Sequence, residues 1–292
     1  MSLNNVSAGI TGFIDILGFG DRVLSTTSIG GIDEIARRIK KIQSEFDFNT
    51  KNSLTKKDNA FSKRTVLAFS DSILVNVPFE SEATEYHGTF KLIIDELVGF
   101  SHAQGKCTSD GIFLRGGIDT GWWYRSGSTL ISQSLVGAYK AEGKANMPVI
   151  ALTDQLFQYL LEHKDRGYPG IDDDSIERVL RPYDSEETSG RIKFWYIDYI
   201  SLCVEYVQWP ISRQQAIAYE SASSEQSEKV MEQGYMENRC LWLERHARSI
   251  ENAHASTSLD AAKKKYEWLA TYHNEIASRY KASARSECNI QP

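Results

Sequence analysis

The stretch GFIDILGFGDRV, residues 12–23, sets one acid, Asp15, inside an apolar run and then carries the chain through Gly18-Phe19-Gly20. A carboxylate inside an apolar strand is costly unless something pairs with it. The surrounding ITGFIDIL, 10–17, reads as a buried strand, apolar on both faces and bounded by glycines. Downstream, Ile32, Ile35, Ile39, Ile42 and Phe46 recur at three and four residues, which predicts one apolar face of a helix over 32–46.

Further along, 49–64 is polar and reads as a loop. TVLAFSDSILVNVP, 65–78, predicts a β-hairpin turning at Ser70-Asp71-Ser72 and stopped by Pro78. A helix is expected over 84–104, then strands over 112–119 and about 122–131 separated by Thr120-Gly121. Helix over 134–145, a short strand over 148–152, helix over 153–164 and a last hairpin over 178–202, turning at 184–190, complete the pattern. After Pro210 the composition changes. Met236, Cys240, Leu243, Ala247 and Ile250 form one stripe. Tyr266, Leu269, Tyr272 or His273, Ile276 and Tyr280 form another, so two helices joined near AHASTSLD are expected. They fit a hairpin packed on its own domain and a dimer-forming arm equally. The division expected is a domain over 1–205 and a helical extension over 206–292, in an α+β fold.

The chain has 292 residues, 41% of them apolar, and a formal net charge of −6. That balance argues against a general nucleic-acid or anionic-membrane binder, though not against a pocket for a small anion. The four cysteines are scattered, with no C-x-x-C pair, which argues against a zinc site and a disulfide framework. No apolar run reaches the length of a membrane span, and the first residues make a poor signal peptide, so a cytoplasmic protein is expected. The histidines lack metal-binding spacing. Trp122-Trp123-Tyr124 reads as packing, and Asp172-Asp173-Asp174 as a solvated turn.

Taken singly, Asp15 and Asp71 have plain readings as a turn cap and a hairpin-loop acid. If the first strand and the hairpin are sheet neighbours, both carboxylates meet at one edge. Two hard oxygen ligands in a shallow site suit Mg²⁺ or Mn²⁺, which keep waters and bind substrate phosphates. Gly18, Phe19 and Gly20 would offer backbone N–H groups to those phosphates.

At this point the sequence resembles the class III nucleotidyl cyclases. Asp15-Ile16-Leu17-Gly18-Phe19 fits their first-strand pattern D-I-x-G-F, and Phe69-Ser70-Asp71-Ser72 stands at their hairpin acid. Leu114-Arg115-Gly116-Gly117-Ile118-Asp119-Thr120-Gly121 fits L-R-x-G-I-x-x-G, and Ala138-Tyr139-Lys140-Ala141-Glu142 fits A-Y-x-x-E. The resemblance, over roughly residues 10–155, implies a ferredoxin-like palm sheet flanked by helices. It also implies a homodimer with shared sites and two Mg²⁺ or Mn²⁺ ions per site, held by Asp15, Asp71 and the backbone carbonyl of Ile16. On that reading Asp15 is paired with metal ions and not with a protein cation.

The departures are informative. Where purine cyclases carry a base-reading Lys and a polar partner, this sequence has Leu67 and Thr129. The usual transition-state Arg and Asn fall on Lys140 and Val136, and Arg115 is a further candidate cation. The missing purine readers and the helical C-terminal part are similar to the bacterial pyrimidine nucleotide cyclases of the Pycsar anti-phage defence system. That likeness implies conversion of UTP to cyclic UMP and pyrophosphate, with a separate effector sensing the product. The alternatives are CTP to cyclic CMP, a purine nucleotide cyclase, and a non-catalytic nucleotide-sensing module.

Overall fold

Residues 5–47, 62–164, 175–187, 190–208, 212–280, 287, 288 and 290 are described in a computed structural model of the chain. The chain divides into two compact units, one of residues 1–107 and 112–199, the other of 108–111 and 200–292. The 49–61 part of the expected polar loop and the 172–174 acidic turn lie outside the described residues.

The elements of the first unit run β1 (Val6–Ile16), α1 (Phe19–Ser25), α2 (Ile29–Phe46), β2 (Thr65–Phe69), β3 (Ser72–Pro78), α3 (Glu82–His87), α4 (Thr89–Ser109), β4 (Leu114–Ser126), β5 (Thr129–Ser132), α5 (Gln133–Ala145), β6 (Ile150–Leu152), α6 (Asp154–His163), α7 (Ser175–Val179), β7 (Leu180–Glu187) and β8 (Gly190–Ile197). The last residues of α4 pass into the second unit. The sheet order is β2-β3-β1-β4-β6-β8-β7, with β5 beside β4. Only β4 and β6 pair in parallel, and the other pairings are antiparallel. This is a mixed sheet flanked by helices, the α+β architecture expected.

Strand alternation assigns the two faces. Ile10, Ile14, Ile73, Val75, Leu114 and Ile118 are buried on one face. Helices α2 and α4 cover it: Phe100 lies against Gly12, and Phe46 packs on Phe100 at 5.4 Å between ring centroids. On the other face, α5 lies directly over β4. A Cβ on Gly117 would come within 1.9 Å of the Ala138 carbonyl oxygen, so the strand admits the helix only because it carries glycine there.

Three expectations are corrected. Residues 112–131 do not break at Thr120-Gly121. β4 runs unbroken to Ser126 and turns at Gly127, whose φ is 57°. Gly121 instead lies closely under α5: a Cβ there would stand 3.3 Å from the Ser134 nitrogen. The helix expected over 84–104 is two helices parted at Gly88, φ 80°, and the second runs on to Ser109. In α2 the apolar stripe buries only its end: Ile42 and Phe46 are buried, but Ile32 is 59% exposed.

The second unit contains α8 (Tyr199–Glu205) from its second residue on, then α9 (Arg213–Glu220), α10 (Ser224–Ser256) and α11 (Asp260–Arg279). Both expected stripes are used, except that Met236, the first residue of the α10 stripe, is 57% exposed. Leu243, Ala247 and Ile250 of α10 are buried, as are Leu269, Tyr272, His273 and Ile276 of α11. His246 and His273 meet inside, Nδ1 to Nδ1 at 2.9 Å, with Trp242 stacked on His246. The contact needs one ring to donate and the other to accept. Burial, and then His273, hold the His246 pKa well below its ordinary value. The unfolded chain therefore takes up a proton near pH 6.5 that the folded chain refuses. Stability is full above that pH and falls beneath it, by about 1.4 kcal/mol per pH unit for one proton. A lower urea midpoint at pH 5.5 than at pH 7.5 is expected, with the difference reduced in His246→Gln.

Candidate active site

The site is assembled at the C-terminal end of β1. Asp15 pairs across the sheet with Ser72 of β3 and with Arg115 of β4. The β2–β3 hairpin turns through Ser70 and Asp71, with Ser70 at φ 54°. A two-residue hairpin turn needs left-handed backbone, which an acid or a glycine usually supplies and a serine supplies here. The turn brings Asp71 beside Asp15, close enough for a side-chain hydrogen bond and charge repulsion between them. The expected convergence of the two acids is therefore present.

Asp15 also has a protein cation as partner, contrary to expectation. Arg115 Nε donates to Asp15 Oδ2 at 2.8 Å. The same nitrogen stands 2.6 Å from Glu142 Oε1, and Nη1 reaches Asn146 Oδ1 at 3.5 Å. The physical reason is register: Asp15 and Arg115 are direct cross-strand neighbours on one face. Burial raises the Asp15 pKa, Arg115 draws it back, and Asp71 raises it again.

The remaining candidates are placed as follows. The Leu17 N–H bonds to the Phe113 carbonyl on the β4 side. By strand alternation the Ile16 carbonyl faces the β3 side, where the Asp71 turn ends. Gly18 is left-handed at φ 71° and opens α1, with Phe19 and Gly20 in its first turn. Gly18 and Gly20 are exposed. Leu67 pairs with Leu74, which pairs with Phe13. Beside them lies an open apolar hollow of about 320 Å³, lined by Phe13, Phe69, Leu74, Leu135, Val136 and Tyr139. Tyr139 meets Phe13 edge-on at 5.3 Å. Lys140 is exposed on α5.

Thr129 is not near Leu67 along the sheet. It pairs with Ser126 at the far end of β4, whereas Leu67 belongs to the row containing Gly117. The separation along the strand is roughly 30 Å at ~3.3 Å per residue.

Two hard carboxylates side by side fit a divalent cation by donor chemistry. Among the described residues no group of three or more His, Cys, Asp or Glu side chains could hold one. The protein's share would be two carboxylates and a carbonyl, leaving positions for phosphate oxygens and water. Among the described residues no helix is long and apolar enough to cross a membrane.

The sequence reading did not assign a role to Glu142. It is 4% exposed, on the stripe Ala138, Ala141, Glu142, Ala145 that faces β4. An acid within a stripe of small residues, on a helix pressed against a sheet, was the available signal.

No protein-family model matches the chain, and no curated protein matches it. Among solved structures it is similar to the adenylyl cyclase CyaB from P. aeruginosa, at 12% identity and a TM-score of 0.43, over 66% of this chain and 94% of that one. It is also similar to the catalytic core of a rhodopsin-guanylyl cyclase with converted specificity in complex with ATPalphaS, at 16% identity and a TM-score of 0.39, over 66% and 96%. A bacterial light-regulated adenylyl cyclase matches at 11% identity and a TM-score of 0.38, over 66% and 91%.

Proposed function

We propose that this protein is a class III-type nucleotidyl cyclase that converts UTP to 3′,5′-cyclic UMP and pyrophosphate. The observation carrying the reading is the meeting of Asp15 and Asp71, next to Phe69 and Ser72, which help line the apolar hollow. It is joined by the order of the four motifs in the sequence. Bound Mg²⁺ or Mn²⁺ would supply charge neutralisation on the triphosphate and activation of the 3′-hydroxyl. Asp15, Asp71 and the Ile16 carbonyl would hold the ions. Gly18, Phe19 and Gly20 would present N–H groups to phosphate oxygens. The 3′-oxygen attacks the α-phosphorus in line, the α–β bridging bond breaks, and pyrophosphate leaves. The chain's own work is to orient the two ends and to stabilise charge. Arg115 and Lys140 are the cations assigned to that charge.

The base reading rests on Leu67. It belongs to an apolar row, so it cannot make the charged contact that reads a purine. A pyrimidine seated on that row needs less room, and Thr129, which both donates and accepts, would have to come from a partner chain to meet it. The protein would therefore act as a homodimer, with residues 1–205 catalytic and 206–292 an extension. It would serve anti-phage defence by making a messenger for a separate effector in the cytoplasm. CTP is the second substrate on the same grounds. One observation favours a different reading: Arg115 already pairs with Asp15, and a cation held there in place of a metal would suit a nucleotide-sensing module without turnover.

Incubating the protein with each of the four ribonucleoside triphosphates and Mn²⁺, with mass spectrometry of the products, tests these readings together. Cyclic UMP as the main product, from a preparation that sediments as a dimer, is the expected result. Faster turnover of ATP or GTP than of both pyrimidines would refute the base argument. A homogeneous preparation without turnover would support the sensing module.

A further inference from the structure

Arg115 has one Nε–H and two acids competing for it. It donates to Asp15 Oδ2 at 2.8 Å, while Glu142 Oε1 stands 2.6 Å from the same nitrogen. The Glu142 side chain is 5% exposed and Asp15's is 13% exposed, whereas Arg115's is 29% exposed. Glu142 is almost shut off from bulk water, and Asp15 has little of it, so both lean on the guanidinium. Asn146, left-handed at φ 47°, makes only a long 3.5 Å contact with the outer end of the fork through Nη1. The arrangement has a consequence for any cation that binds Asp15, because it must displace a guanidinium already seated there.

We propose that Glu142 is a positioning residue that takes over Arg115 when a divalent cation takes Asp15. This rests on the metal-binding reading of Asp15 and deepens it. The Nε–H moves from Asp15 to Glu142 with no change of protonation at any of the three groups. Arg115 stays in the site as a fixed positive charge and is not driven out into solvent. Without Glu142 the guanidinium has Asp15 as its one acidic partner in this cluster, and the metal competes against the full pair. Charge-assisted hydrogen bonds are the strong ones, so the competition is not trivial.

The test is Mn²⁺ binding to the substrate-free protein, read by calorimetry and by the Mn²⁺ paramagnetic resonance signal. Four forms are compared: wild type, Glu142→Gln, Arg115→Gln and the double variant. Glu142→Gln is expected to weaken Mn²⁺ binding about tenfold, the size of one charge-assisted hydrogen bond. Arg115→Gln is expected to tighten it. In the Arg115→Gln background, adding Glu142→Gln should change affinity less than twofold, because the guanidinium that Glu142 would take over is absent. Equal weakening by Glu142→Gln in both backgrounds would overturn the proposal, since a plain field effect of the Glu142 charge would persist without Arg115. Binding by wild type that Glu142→Gln leaves unchanged would overturn it too, with the metal reading intact. No Mn²⁺ binding by wild type would overturn both. If Glu142→Gln alone fails to fold, the double variant still decides: it carries no buried unpaired charge from this pair. Its affinity should equal or exceed that of wild type, and weaker binding would overturn the proposal.

Discussion

Asp71→Asn is expected to lose at least about 10²-fold in turnover while melting at or above the wild-type temperature. The loss is the scale of one charge-stabilising element removed from a reacting centre. The stability gain follows from the geometry. Asp71 sits in a hairpin turn beside Asp15, and its charge helps push the Asp15 carboxyl up. Removing that charge relieves repulsion between like groups. Asp15→Asn should be equally inactive and should melt lower than Asp71→Asn. It strips Arg115 of a 2.8 Å charged partner, leaving the guanidinium to Glu142 and Asn146. Steady-state turnover with UTP and Mn²⁺, beside thermal melts of both variants, checks the pair. Near-normal turnover in either variant would place the reaction elsewhere.

The contrast between these two acids shows what the sequence could and could not carry. Asp71 was legible because its place depends on local chemistry: two β-rich arms close together around a turn. Asp15 was legible as an anomaly, one acid in an apolar run, but its partner was not. Arg115 lies a hundred positions away in the chain. The pairing follows from the register of β1 on β4, and register depends on how a whole strand buries its face. The break expected at Thr120-Gly121 failed for a related reason. A glycine in a strand signals either a turn or a close approach, and from sequence the two look alike. The helix seated over β4 decides for close approach. The same holds for His246 and His273, which have no metal-binding spacing yet meet through the packing of two helices.

That close approach carries the last large effect. Gly117→Ala is expected to cost about 3 kcal/mol or more of stability, at or beyond the upper end for overpacking a core. The added Cβ would fall 1.9 Å from the Ala138 carbonyl oxygen and 2.8 Å from the Glu142 nitrogen. Both are backbone atoms of α5, so no side chain can rotate away, and the helix must lift off the strand. Gly143→Ala, in the same helix, is the opposite case. Nothing lies within 4 Å of its Cβ, and alanine is the better helix former, so a gain of up to about 1 kcal/mol is expected. Urea denaturation of the two variants should therefore move in opposite directions from wild type. Equal stability of Gly117→Ala and wild type would mean that α5 is not seated on β4 as described. The same lift would also separate Glu142 from Arg115, since Glu142 is placed by the backbone that Gly117 admits. Residual folded Gly117→Ala protein should then bind Mn²⁺ as weakly as Glu142→Gln. One glycine in the L-R-x-G-I pattern would in this way link the packing of the sheet to the charge balance at Asp15.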